Sequence, residues 1–257
     1  MKGAIIGDII GSRFERNNHK SKIFDLFNSD SRFTDDSVLT IAVANALLEG
    51  TSYEHNVKYF ARQYPFAGYG GTFRKWMVGI INGPYNSWGN GSGMRVSPVA
   101  YAFDNVEEVL AEAENSAAIT HNHPEGIKGA KAIALATFMA HNGHDKSAIK
   151  EAVVKECAYD LDRKLEKIRP HYKFDVSCQG SVPEAIIAFL ESDSFEDTIR
   201  NAVSIGGDTD TIACMAGAIA EAYYKNIPAD LELQAMERLP KSFREIVIRF
   251  YDTYVNV

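Results

Sequence analysis

The stretch Ser37-Val38-Leu39-Thr40-Ile41-Ala42-Val43-Ala44-Asn45-Ala46-Leu47-Leu48 decides the class of the fold. Val38, Leu39, Ile41, Ala42, Ala46 and Leu47 recur at helical spacing, and Gly50 supplies a C-terminal stop. Working outward, the same period returns along the chain. Asp104 is placed to cap a helix through Val106, Val109, Leu110 and Ala113. A further helix is expected over residues 126–141, with Ile127, Ile133, Ala134 and Phe138 inward and Gly143 closing it. Others are expected over residues 146–165, 183–190 with Pro183 at the first helical position, 195–204, 210–224 and 242–254. Alternating apolar and polar runs long enough for a sheet are scarce, so the expected class is all-α.

Composition sets the outer bounds. The 257 residues are 46% apolar and 24% charged, which is globular and excludes disordered and fibrous classes. Long Pro/Ser linkers and charge blocks are absent, so one domain over residues 1–257 is the simplest organisation. A formal charge of −7 lacks the basic excess that neutralises nucleic-acid phosphates, although a local cluster could still hold a pyrophosphate. Cys157, Cys178 and Cys214 form no CxxC pair, and their odd number is a poor disulfide framework. Cys214 lies in an apolar helical stretch, as a small core hydrophobe would. Reduced thiols suit the cytoplasm. The apolar start Met1-Lys2-Gly3-Ala4-Ile5-Ile6 is interrupted by Asp8, with Arg13 and Glu15 close behind, unlike a signal peptide. No stretch approaches the ~18 uncharged apolar residues of a membrane span. The expectation is a soluble cytoplasmic monomer with no membrane and no nucleic-acid partner.

Residues 64–98 break the helical pattern. Gly68, Gly70, Gly71, Gly79, Gly83, Gly89, Gly91 and Gly93 alternate there with Phe66, Tyr69, Phe73, Trp76, Tyr85 and Trp88. The aromatic content is too high for a disordered linker, which leaves a functional loop.

Two acidic segments echo each other at expected helix starts: Phe33-Thr34-Asp35-Asp36-Ser37 and Gly206-Gly207-Asp208-Thr209-Asp210-Thr211. Asp and Thr are good N-caps and suit the positive end of the helix dipole, so one acid at each start needs no other explanation. Two per start exceeds what capping uses. Four carboxylates brought together would repel unless cations lay between them, and oxygen-only donors select Mg²⁺ or Mn²⁺ over zinc. Spacing alone leaves both readings open.

Five pieces in order resemble the ADP-ribosylglycohydrolase family, which includes the glycohydrolase that reactivates dinitrogenase reductase. They are Gly3-Ala4-Ile5-Ile6-Gly7-Asp8-Ile9-Ile10-Gly11-Ser12, similar to an opening G-x-x-x-G-D-x-x-G, then Thr34-Asp35-Asp36, then Gly89-Asn90-Gly91-Ser92-Gly93-Met94-Arg95, then Thr120-His121, and last Gly207-Asp208-Thr209-Asp210-Thr211-Ile212-Ala213. Together they span nearly the whole chain.

The resemblance implies a multi-helix all-α domain around a central dinuclear site holding two Mg²⁺ or Mn²⁺. It assigns Thr34, Asp35, Asp36, Asp208, Asp210 and Thr211 as metal ligands. Glu15 matches an acid that takes part in catalysis in the poly- and seryl-ADP-ribose branch, although other branches lack it. With Asp35 and Asp36 it completes the expected catalytic set. Ser87-Trp88-Gly89-Asn90 matches the segment that holds the ADP moiety: glycines let backbone N–H groups approach a diphosphate, and Trp88 offers a face for adenine. His121 matches a histidine that contacts the substrate phosphates, while His123 has no assigned role. Arg95 is read as either a phosphate contact or half of a structural ion pair. The implied reaction releases ADP-ribose from a protein side chain, poly-ADP-ribose or a small molecule. A non-catalytic ADP-ribose-binding or structural relative and a metal-dependent phosphohydrolase are the alternatives.

Overall fold

A computed structural model describes residues 1–256, and among them the only regular structure is helical. In chain order the helices are α1 (Lys2–Gly11), α2 (Asp35–Glu49), α3 (Tyr53–Gln63), α4 (Gly71–Met77), α5 (Gly91–Arg95), α6 (Val99–Ala102), α7 (Val106–Ala118), α8 (Pro124–His141), α9 (Lys146–Cys157), α10 (Leu165–Ile168), α11 (Cys178–Leu190), α12 (Phe195–Ile205), α13 (Thr209–Tyr224), α14 (Ala229–Glu237) and α15 (Lys241–Tyr254). One isolated antiparallel bridge joins Gly89 to Ser177, and the described residues contain no sheet. None of the described helices is long and apolar enough to cross a membrane. The three cysteines are free and buried.

The centre of the fold is α13 with α1 laid along it. A helix apolar on all sides belongs in a core, and α13 is buried from Thr209 to Ala222. Helices α8, α11 and α12 pack around it, while α2 packs on α1 and carries α3 and α15. Gly3, Gly7 and Gly11 recur every four residues on the face of α1 that meets α13. A Cβ on Gly7 would lie 2.0 Å from the Ala213 carbonyl oxygen, and one on Gly3 2.2 Å from that of Gly217. The two backbones therefore touch, and a methyl at Gly7 would have to push the helices apart, costing about 1–3 kcal/mol or more. This contact fixes where Asp8, one residue beyond Gly7, stands relative to the start of α13.

Several sequence expectations need correction. Helix α1 has no period to read, because Gly3 through Gly11 are all buried. The cap of α7 is Asn105, not Asp104: the Asn105 side chain accepts from Glu108 N at 2.9 Å. Helix α8 starts at Pro124, two residues early, and His123 Nδ1 caps it by accepting from Glu125 N at 3.1 Å. The helix expected over 146–165 stops at Cys157, where Ala158 turns left-handed with φ 53°. Asp160 Oδ1 then accepts from Asp162 N at 3.1 Å, offering the backbone a turn in place of a helix. Helix α11 begins at Cys178, capped by Ser177 Oγ on Gly180 N, so Pro183 lies inside it and deprives the Gln179 carbonyl of its helical donor. Within 64–98, α4 and α5 are helical, and the wholly buried Trp76 belongs to the core.

Candidate metal centre and substrate cleft

Asp8, the N-terminus of α2 and the N-terminus of α13 meet at one point. Thr34, the N-cap of α2, is extended, and its Oγ1 accepts from Asp36 N at 3.3 Å. The same hydroxyl donates to Asp8 Oδ1 at 2.6 Å. Asp8 Oδ2 accepts from Thr34 N at 2.9 Å, from Ser37 N at 3.0 Å and from the Ser37 hydroxyl. One carboxylate on α1 thus holds the whole first turn of α2.

The second acidic segment is held as tightly. Gly206 and Gly207 take φ values of 74° and 77°, which only glycine adopts without strain. Asn18 accepts from Gly207 N, and Lys20 donates to the Ile205 carbonyl. Thr209 Oγ1 donates to the Gly11 carbonyl at 3.0 Å, tying the start of α13 to the end of α1. Asn90 Nδ2 donates to Asp208 Oδ2 at 2.7 Å. The two segments touch where Thr211 Oγ1 donates to Asp36 Oδ2 at 3.3 Å.

The electrostatics of this cluster suit a cation. Asp8, Asp36 and Asp210 each place a carboxylate oxygen within 4.8 Å of the others, all buried. Burial raises the Asp8 carboxyl to about 6 despite its four donors. Burial, then the charges of Asp8, Asp208 and Glu15, raise Asp35 to about 8. Burial, then the charges of Asp8, Asp35 and Asp208, push Asp36 well above the usual carboxylate range, and burial, then the charges of Asp36, Asp208 and Asp8, do the same to Asp210. Asp36 Oδ1 is buried with no hydrogen-bond partner. Orphaned, mutually repelling oxygens fit a hard divalent cation, which removes both penalties at once. Asp8 already accepts four donors, so it anchors the first turn of α2 from beneath. In the sequence Asp8 stood out only as the acid of the opening G-x-x-x-G-D-x-x-G pattern, which assigned it no role.

Above this floor opens a cleft of about 910 Å³. All six proposed ligands, Thr34, Asp35, Asp36, Asp208, Asp210 and Thr211, line it, as does Glu15. Ser87, Gly89, Asn90 and His121 form one wall. Trp88 is not among the lining residues. Its side chain is 49% exposed and its carbonyl accepts from Cys178 N at 2.9 Å. Phe174 and Val176, half-exposed and unremarked in the sequence, line the cleft beside that wall. Arg95 also lines it but makes no ion pair among the described residues. Its Nη2 donates to the Ser116 carbonyl and to Thr120 Oγ1, each at 2.9 Å. His121 is buried, and its Nδ1 lies 2.6 Å from Thr120 Oγ1. Burial and the Arg95 charge hold its imidazole well below the usual range, so the ring is neutral.

Comparison with known proteins finds relatives of this chain, some of them along nearly its full length. The mouse (Mus musculus) protein named ADP-ribosylhydrolase ARH3 is 27% identical over 335 residues, covering 99% of this chain and 88% of the relative. The Xenopus tropicalis protein of the same name is 28% identical, covering 91% and 89%. A Pseudomonas putida protein named ADP-ribosylarginine hydrolase Tri1 is 25% identical over 53% of this chain and 38% of its own length. A solved structure titled ADP-ribosylglycohydrolase-related protein complex shares the fold, with a TM-score of 0.72 at 22% identity over 97% of this chain and 94% of that one. The family model described as ADP-ribosylglycohydrolase matches residues 1–256, and the chain belongs to that family.

Proposed function

We propose that the protein hydrolyses the glycosidic bond joining ADP-ribose to an acceptor, releasing ADP-ribose, with two Mg²⁺ or Mn²⁺ held between the starts of α2 and α13. The observation that carries this reading is the meeting of two independent acidic helix starts, joined by Thr211 Oγ1 and Asp36 Oδ2 at 3.3 Å, under one open cleft. Full-length similarity to proteins named as ADP-ribosylhydrolases supports the reaction class.

In the reaction, a water oxygen bonds to the anomeric carbon of the distal ribose, the bond to the acceptor breaks, and the acceptor leaves with a proton. Cations held by Thr34, Asp35, Asp36, Asp208, Asp210 and Thr211 would supply charge to orient the ribose hydroxyls and acidify a water. The protein side chains divide the remaining work. Asp36 Oδ2 accepts from the Thr211 hydroxyl, while its backbone N–H donates to Thr34 Oγ1, which suits a fixed ligand. Glu15 lines the cleft, and no side-chain hydrogen bond ties it down among the described residues as one ties Asp36, Asp208 and Asp210, so it is available to move a proton. Asp35, pinned through its backbone N–H to the Ala67 carbonyl at 2.9 Å, turns its carboxylate toward Gly68 and shares that task. Gly89 and Gly91 leave room beside His121 for the diphosphate.

The test is product analysis on ADP-ribosyl-serine, ADP-ribosyl-arginine, poly-ADP-ribose, O-acetyl-ADP-ribose and an ADP-ribosylated nucleobase. ADP-ribose is the expected product from at least one. AMP would mean attack at phosphorus, and binding of ADP-ribose with no turnover on any substrate would mean a non-catalytic relative.

A further inference from the structure

Arg95 is the strangest residue around the cleft. Its side chain is fully buried, no carboxylate pairs with it among the described residues, and its Nε and Nη1 have no hydrogen-bond partner. Burying an unpaired cation is expensive, and the structure spends that charge on one turn. Arg95 Nη2 donates to the Ser116 carbonyl at 2.9 Å, the Ala117 carbonyl at 3.4 Å and Thr120 Oγ1 at 2.9 Å.

The donor arithmetic of that last bond has a consequence. A guanidinium can only donate, so Thr120 Oγ1 accepts from it. The hydroxyl then has one hydrogen to give and two side-chain neighbours, the Tyr85 hydroxyl and His121 Nδ1 at 2.6 Å; the phenol carries its own hydrogen to donate, which leaves His121 Nδ1 as the acceptor. An Nδ1 that accepts carries no proton, so in the neutral ring the proton sits on Nε2. Nε2 faces the glycine turn: a Cβ on Gly91 would lie 3.3 Å from it and one on Gly89 3.6 Å. We propose that Arg95 and Thr120 are positioning residues that fix His121 as the Nε2–H tautomer, aiming one neutral N–H donor at the ligand oxygen seated on the Gly89–Gly91 turn.

The proposal rests on the reading of the cleft as an ADP-ribose site only for the identity of that oxygen, which belongs to the diphosphate. The tautomer is independent of it. The decisive readout is the ¹⁵N spectrum of the His121 ring in unliganded protein at neutral pH. We expect Nε2 in the proton-bearing range and Nδ1 in the unprotonated range. Thr120→Val, which keeps the shape and removes the hydroxyl, moves the ring toward the other tautomer, and Thr120→Ser restores it. A merely structural role for Thr120 would leave these signals unchanged. ADP-ribose binding, read by calorimetry, weakens about tenfold in Thr120→Val, as for one lost hydrogen bond to a charged ligand. With an active substrate, KM rises by the same factor while kcat stays within about twofold. A wild-type ring protonated on Nδ1 overturns the proposal without any variant. So does an unchanged tautomer in folded Thr120→Val. Absence of turnover on every substrate would count against the hydrolase reading and leave the tautomer result standing.

Discussion

The floor and the wall of the cleft are built on different principles. The floor is three helix ends locked through backbone and hydroxyl groups: Thr34 and Ser37 on Asp8, Thr209 on Gly11, and Thr211 on Asp36. The wall and rim are short segments with half-exposed side chains, Trp88, Phe174 and Val176. A rigid floor holds reacting atoms to within fractions of an ångström, as transition-state chemistry requires. A loop-built rim can change residues without disturbing it. The proposed function therefore puts chemistry in the floor and ligand selection in the rim, and substitutions in the two regions should differ in kind.

The largest effect belongs to the floor. Asp36→Asn and Asp210→Asn each remove a charge while leaving a side chain able to cap a helix. We expect each to lower kcat by about a thousandfold, or about 4 kcal/mol in the barrier, with circular dichroism unchanged. The double variant should be little worse than either single one, because residues acting as a unit lose the same function once. Additive losses would separate the two acidic segments and break the description of the floor as one site.

One layer down, Asp8→Asn should weaken Mn²⁺ binding and activity by roughly 10–100-fold, the range for partners that orient ligands. Equality with Asp36→Asn would make Asp8 a ligand, while no effect would leave it a core residue only.

Stability offers a third contrast. In the metal-free fold the carboxyls of Asp35 and Asp8 are raised to about 8 and about 6, chiefly by burial. An unfolded Asp titrates near pH 3.9. Between those limits the folded chain holds protons that the unfolded chain has released, so stability falls as pH rises from about 4 to about 8. Cations cancel the repulsion. The gap in Tm between the Mg²⁺-loaded and chelated protein should therefore widen by several degrees from pH 5 to pH 8. A gap independent of pH would mean that these carboxylates do not share the cation.

The smallest effect belongs to the rim. Trp88 is half-exposed and outside the cleft lining, so Trp88→Ala should weaken ADP-ribose by about 1 kcal/mol, the lower end of base–aromatic stacking. Ribose 5-phosphate, which has no adenine, should bind as before. Equal weakening of both ligands would show that Trp88 supports the fold. If Phe174→Ala produces the selective loss instead, the adenine lies on the other side of the rim.

What could be read in advance follows the same division. Helix α2 and the acidic starts were legible because amphipathic period and capping chemistry are local. Helix α1 was opaque because its nine buried residues leave no polar face, and its glycine stripe has meaning only against α13. The opening motif contained Asp8, but its anchoring role was hidden for the same reason: its four donors come from residues 26 to 29 positions away. Helix α11 was cut short in the reading because Pro183 looks like a helix start, whereas Ser177 caps the chain six residues earlier. The order Arg95, Thr120, His121 carried no hint that the first acts on the third through the second.

The most direct measurement is ADP-ribose release, by chromatography, from the best substrate of the panel, first in excess chelator and then after adding back Mg²⁺, Mn²⁺ or Zn²⁺. Release should stop in chelator and return with Mg²⁺ or Mn²⁺ but not with Zn²⁺. Full release in excess chelator would contradict a reaction that runs on cations held by Asp36 and Asp210.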